Sequence, residues 1–267
     1  MTNNSDLKYW LGLSLVEGVG PKTFASLYSY FGSAEAIWGA SPSKLSELGA
    51  YKSVIEGFKK VKKNKNLDEE LEKVEDEGVS LVRITDPAYP QELKNIESSP
   101  FLLYVKGEIR SQDNIALAVV GTRKYTNYGK RAVGALVPEF VRAGLTVISG
   151  LAYGIDTLAH RAALETGGRT IAVLGCGVDR VYPAGNRDLA EKITKTGNGC
   201  IISEFPLGYP PVAGNFPARN RIISGLSLGV LVVEAPKRSG AQITASCAAE
   251  QGRPVYAVPG SIFNFAS

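Results

Sequence analysis

The chain is poor in the side chains that carry most metal and acid–base chemistry: 267 residues contain one histidine, three cysteines and one methionine. Cys176, Cys200 and Cys247 lie far apart with no C-x-x-C pair, and His160 is the single imidazole in the sequence. That excludes a disulfide framework and a zinc site, and reads as reduced, mostly buried thiols. No apolar run approaches the ~20 residues of a membrane span, and MTNNSDLKYW has neither the basic start nor the apolar core of a secretory leader. A cytoplasmic protein without membrane contact is therefore expected. The sequence also lacks G-x-x-x-x-G-K-[ST], G-x-S-x-G and H-E-x-x-H, which removes P-loop nucleotidases, α/β-hydrolases and zincins.

What is present is a chain long enough, at 44% apolar residues, for one large domain and one small one. Net charge is +4 and unevenly placed: all 13 arginines fall after residue 77, where 20 basic residues face 14 acidic ones, whereas residues 1–77 are net acidic. Arginine suits planar, bidentate phosphate contact, so an anionic partner is assigned to the larger part.

Residues 6–57 read as short helices broken by glycine. In EGVGPKTFASLYSYFG, Gly18 and Gly20 form a tight turn and Pro21 opens a helix with Phe24, Leu27, Tyr28 and Phe31 on one face. Its two readings are a phosphate-holding helix-hairpin-helix and a bundle used for packing or partner contact. FKKVKKNKNLDEELEKVEDEG, 58–78, switches from basic to acidic within what reads as one solvated connecting helix. Beyond it, apolar β-branched runs at 79–84, 101–105, 115–120, 145–148, 169–174, 200–202, 229–233 and 254–258 alternate with helical stretches at 128–143, 155–166, 187–196, 217–227 and 240–251. This predicts an α/β fold with a doubly wound, largely parallel sheet. The domain division expected is 1–70, helical with its charged connection, and 71–267, the sheet domain.

In such a sheet ligands gather at the carboxyl ends of the strands. Four loops leave those ends. The first carries Gly121, Thr122, Arg123 and Lys124; the second, SGLAYGID, carries Ser149, Gly150 and Gly154, with a helix N-terminus at Ile155 expected to hold an anion. The third carries Arg219, Asn220 and Arg221, and the fourth Ser239 and Gly240. Together they read as a phosphate-binding groove. LGCGVDRVYP lacks the third glycine of a dinucleotide fingerprint, and Pro183 interrupts the helix that would follow. His160 reads as a packed helix residue rather than a general base, Asp156 as a helix N-terminal cap and Glu204 as a strand-end acceptor. No cofactor, metal or catalytic residue is expected.

VVGTRKYTNYG, ISGLAYGIDTLAHRAALETGGRTIAVLGCGVDRVYPAGN, ISEFPLG, FPARNRIISGLSLGVLVVEA and RSGAQITASCAAEQGRPVYAVPGSI, with RITDPAYPQELKNI before them, closely resemble the DNA processing protein A family, DprA (Smf), over about residues 80–262. GVGPKTFASLYSYFGSAEAIW resembles that family's SAM-like or helix-hairpin-helix domain. The resemblance implies an extended Rossmann fold that binds single-stranded DNA without cleaving it, protects it, loads RecA recombinase in natural transformation, and forms a homodimer. It points to the same four loops, with Arg187 added where Ala184 replaces a lysine that some members carry. Family members usually continue beyond GSIFNFAS through a further helix and often a winged-helix domain, so an exposed core or weakened dimer is expected here. Tyr125 and Tyr128 are candidate base-stacking platforms. The rival reading is a nucleotide phosphoribohydrolase of the lysine-decarboxylase-like group, dependent on Glu204 or Glu234; its P-G-G-x-G-T-x-x-E signature is absent.

Overall fold

Six helices precede the sheet: α1 (Leu7–Ser14), α2 (Pro21–Phe31), α3 (Ala34–Gly39), α4 (Pro42–Glu47), α5 (Lys52–Asn64) and α6 (Leu67–Asp76). The computed structural model describes residues 6–237 and 239–260. Pro21 opens α2, and Ser33 and Ser41 cap α3 and α4 by accepting from the amides of Ala36 and Lys44. The charged stretch 58–78 is two helices instead of the single one expected. Asn66 turns the chain and caps α6, its Oδ1 accepting from Asp68 N at 3.1 Å. The turn lets both Phe58 of α5 and Val74 of α6 reach the core, and lets α6 lie against α1. The layer is fixed to the sheet domain by aromatic packing. Phe24 stacks on Phe101 with ring centroids 4.2 Å apart, Trp10 packs 4.9 Å from Phe24, and Ser14 Oγ lies 2.6 Å from Tyr104 Oη.

The remaining chain runs β1 (Val79–Arg83), α7 (Gln91–Lys94), β2 (Leu102–Gly107), β3 (Ala116–Val120), α8 (Asn127–Arg142), β4 (Thr146–Ser149), α9 (Ile155–Glu165), β5 (Thr170–Val173), α10 (Arg187–Lys195), β6 (Gly199–Ser203), α11 (Asn215–Gly225), β7 (Gly229–Val232), α12 (Gly240–Glu250) and β8 (Val255–Ala257). Every apolar run read as a strand is one. They form an eight-stranded sheet in the order β1-β2-β6-β5-β4-β3-β7-β8. The strands from β6 to β8 pair in parallel, and β1 and β2 add antiparallel at one edge. Alternate residues of each central strand enter opposite cores: Ala116, Ala118 and Val120 face α11 and α12, while Val119 faces α8 and α9. Among the described residues no helix is long and apolar enough to cross a membrane.

His160 of α9 is fully buried, and its Nδ1 lies 2.7 Å from Thr170 Oγ1. The Thr170 hydroxyl proton is committed to Val147 O at 2.7 Å, so the imidazole proton sits on Nδ1 and donates to Thr170. Burial, with the charge of Arg219 adding to it, pushes the imidazole pKa down to about 3. This is a packing residue that ties α9 to β5. Because an unfolded histidine titrates near 6.5, the unfolded chain takes up a proton that the native one refuses between about pH 6.5 and 3. The contribution is fully present above pH 6.5 and is lost on acidification, by up to about 1.4 kcal/mol per pH unit. In urea unfolding, the free-energy difference between the wild type and His160→Asn is expected to change in this sense as the pH falls from neutral. A difference independent of pH means that the imidazole takes up its proton as readily in the native state as in the unfolded one.

Candidate nucleic-acid interface

From β3 the chain moves outward through β4, β5 and β6 on one side, and then places β7 on the other side of β3. A crevice opens where strand order reverses, at the carboxyl ends of β3 and β7. A cavity of about 510 Å³ occupies it. Gly121, Thr122 and Arg123 line it after β3, and Ser239, Gly240 and Thr244 line it from the start of α12. Phe216, Arg219 and Asn220 enter from α11, and Ala152 and Asp156 from the segment after β4. An adjoining recess shares Arg123, Tyr182, Phe216 and Arg219 and adds Gly150 and Tyr153.

Arg123 is exposed and, among the described residues, has no hydrogen-bond or ion-pair partner. Arg219 is only 5% exposed. Its guanidinium donates to Gly150 O at 2.8 Å and to Val173 O, bridging the ends of β4 and β5. Burial pushes its pKa down to about 10, with Asp156 opposing and Arg123 adding to the shift. Among the described residues it has no carboxylate within ion-pair distance, and its Nε has no partner. A buried guanidinium facing a cavity in this state has electrostatic capacity left for an anion. Ser239 heads α12 without a side-chain capping bond, and its hydroxyl has no partner among the described residues. The start of α12 thus meets the cavity wall with no side-chain cap from Ser239, whose carbonyl accepts from Gln242 N at 3.1 Å.

The N-terminus of α9 does not behave as expected from sequence. Ile155 N donates to Thr122 O at 3.2 Å, and the Asp156 carboxylate accepts from Gly150 N at 3.1 Å and Ala152 N at 3.4 Å. Burial raises the Asp156 pKa, opposed by Arg219 and these two amides. The protein's own carboxylate thus fills the anion position of that loop, and Asp156 organises it from inside rather than capping the helix end. Gly154, at φ 89°, is packed so tightly on the Thr122 carbonyl that a Cβ would collide with it. Leu151 is held at φ 56°, a left-handed conformation costing a non-glycine residue about 1–2 kcal/mol. Asn186 secures it, donating from Nδ2 to Leu151 O and Thr157 Oγ1, each at 2.8 Å.

Of the residues singled out in the sequence, Gly121, Thr122, Arg123, Gly150, Arg219, Asn220, Ser239 and Gly240 come together here. Lys124 is exposed on the same turn. Ser149 is buried and donates to Val119 O at 2.7 Å. Arg221 grips Glu204 in a two-pronged ion pair at 2.7 and 2.6 Å and also donates to Ser98 O. Glu204, the residue after β6, is therefore the strand-end acceptor expected, and the donor it meets is a guanidinium. Arg187 lies in a separate groove with Lys106 and Arg180. Tyr128 donates to Pro259 O at 2.6 Å and faces an apolar trough of about 730 Å³ between α8 and β8, whose one charged lining residue is Arg131. Tyr125 is exposed outside the cavity lining. The aromatic rings that do line the cavity and its recess are Tyr182 and Phe216, 5.4 Å apart, with Tyr153 beside them. Phe216 lies at the start of the Phe216–Arg221 segment to which the family resemblance points, whereas Tyr182 and Asn186 were recoverable from YPAGN only by knowing that this segment folds back to the crevice. Among the described residues, no group of three or more His, Cys, Asp or Glu side chains gathers as a metal site.

The sequence model for DNA recombination-mediator protein A matches residues 80–267, most of the chain and every loop of this cavity. The chain belongs to the DNA recombination-mediator protein A family. Protein Smf of Synechocystis sp. is 43% identical over 263 residues, covering 97% of this chain and 66% of that protein, so the chain spans about two thirds of that relative's length. The crystal structure of DNA processing protein A from Streptococcus pneumoniae superposes with a TM-score of 0.82 at 34% identity, covering 97% of this chain and 89% of that one. A DNA processing protein A structure from Helicobacter pylori, described for its single-stranded DNA binding mode, gives a TM-score of 0.63 at 29% identity over 70% of this chain and 83% of that one. In this member of the DNA recombination-mediator protein A family, Asn186→Ala leaves Leu151 O and Thr157 Oγ1 short of a buried donor. The expected cost is about 2 kcal/mol in chemical denaturation. A loss below about 0.5 kcal/mol would mean that the strained loop holds itself.

Proposed function

We propose that the chain binds single-stranded DNA without cleaving it, seating the strand's phosphates in the crevice between β3 and β7. The observation that carries this reading is the convergence, in one cavity, of an unpartnered Arg123, a buried Arg219 without a carboxylate partner and the start of α12 with no side-chain cap. A cavity of this size with Tyr182 and Phe216 on its wall takes one nucleotide unit, with a base against a ring, and has no room for a duplex. Family membership and the neighbouring H. pylori structure support DNA as the polyanion. The same membership supports a role in which the protein protects incoming DNA, acts with a RecA-type recombinase during natural transformation, and works as a homodimer. The hydrolase reading is weakened because both acids it needs are engaged: Glu204 with Arg221, and Glu234 with Thr126.

The test is fluorescence anisotropy with a labelled single strand over a salt series. Three to five phosphate contacts predict a log–log slope of roughly −2 to −3.5. Arg123→Ala is expected to weaken binding about tenfold across sequences and to flatten the slope by about 0.7. Phe216→Ala is expected to cost about 1–3 kcal/mol with the slope unchanged. Salt-independent affinity, or an Arg123→Ala variant binding as the wild type does, overturns the assignment.

A further inference from the structure

The turn that carries Arg123 is shaped by one side chain from the neighbouring strand. Glu234, two residues past the end of β7, is 2% exposed. Its carbonyl accepts from Thr122 N at 2.7 Å, and its carboxylate accepts from Thr126 N at 2.9 Å and from the Thr126 hydroxyl. One residue therefore pins both ends of the Thr122–Thr126 turn. Gly129, in the first turn of α8, lies flat against the carboxylate, where a Cβ would collide with it. A buried acid beside a phosphate-binding rim works against function in two ways: it is costly to desolvate, and it repels the anionic ligand. Electrostatics alone thus requires that removing this acid tightens DNA binding.

Resting on the reading of the cavity as a DNA phosphate site, we propose that Glu234 is a positioning residue for DNA binding, fixing the Thr122–Thr126 turn so that Arg123 meets the strand. The proposal inverts the electrostatic expectation. Glu234→Ala deletes a negative charge yet weakens binding, because the turn loses both carboxylate contacts. Glu234→Gln keeps an acceptor for Thr126 N and an amide that the Thr126 hydroxyl can accept from, so it retains the turn.

The experiment is a double-mutant cycle read by anisotropy with a labelled oligothymidylate, with thermal melts run alongside. Glu234→Ala is expected to weaken binding about tenfold, Glu234→Gln to stay within about threefold of the wild type, and Glu234→Ala to add no further loss in the Arg123→Ala background. A merely structural role gives the same loss in both backgrounds. That result, or Glu234→Ala binding as tightly as the wild type or tighter, overturns the proposal. If Glu234→Ala does not fold, Thr126→Val, which deletes the hydroxyl end of the clamp together with the cap that this hydroxyl gives Gly129 N at the head of α8, enters the same cycle with the same two outcomes. An Arg123→Ala variant with full affinity overturns the phosphate reading of the cavity. Impaired Arg123→Ala beside an indifferent Glu234→Ala overturns only the role of Glu234.

Discussion

The site depends on the packing of two strand ends against each other. β3 and β7 are parallel neighbours, Val120 pairing with Val232, and the chain leaves them toward α8 and α12. The turn after β3 is held through Glu234, beyond β7, and Thr122 O in turn accepts from Ile155 at the head of α9. Three strand-to-helix connections are thus locked by a few hydrogen bonds between backbone and carboxylate. A cavity built this way has walls whose positions are set by the sheet rather than by loop sequence. Such pre-organisation lowers the ordering cost that a flexible loop would incur on binding.

Buried acids in a cavity proposed to hold a polyanion look contradictory until the amides are counted. Loops that turn sharply at strand ends leave N–H groups without partners, and each buried one costs free energy comparable to a lost hydrogen bond. Asp156 meets the amides of Gly150 and Ala152, and Glu234 meets that of Thr126. With those internal anions in place, the side-chain donors at the cavity that the fold leaves unmet, among the described residues, are the Ser239 hydroxyl, Arg123 and the Nε of Arg219, beside the start of α12 with no side-chain cap. The protein's own carboxylates thus decide which helix N-terminus is available for a ligand.

The element pattern was legible because strands buried on both faces read as continuous apolar runs, and eight of these became eight strands. The break at Lys65–Asn66 was not, since a charge run gives no hint that Leu67 and Val74 are buried on a second helix axis. The convergence of the four loops was legible from the strand-end rule. The duties of individual arginines were not. Their concentration after residue 77 suggested ligand contact, yet Arg221 is bound to Glu204, and Arg169 pairs with buried Asp113 at 2.6 Å. Arg253 bonds the carbonyls of Ser227, Glu92 and Gly225. A guanidinium's five donors suit capping carbonyls at strand and helix ends as well as phosphates, and composition cannot separate the two uses. Among the described arginines that line the cavity, burial and partner geometry leave Arg123 as the free fork.

On the proposed reading, that division limits how strongly one copy can hold a strand. On that reading the cations on the turn after β3, among the described residues, are the exposed Arg123 and Lys124, with Arg219 contributing from beneath. The acids below them offset part of that charge. Few phosphate contacts per protein mean modest affinity at physiological salt and ready exchange along the strand. Affinity is then gained by joining two such sites, because a second contact made by an already tethered strand benefits from a high effective concentration and requires no stronger site. If the proposed role of protecting a strand and then yielding it holds, two weak grips released one at a time serve it better than a single strong one.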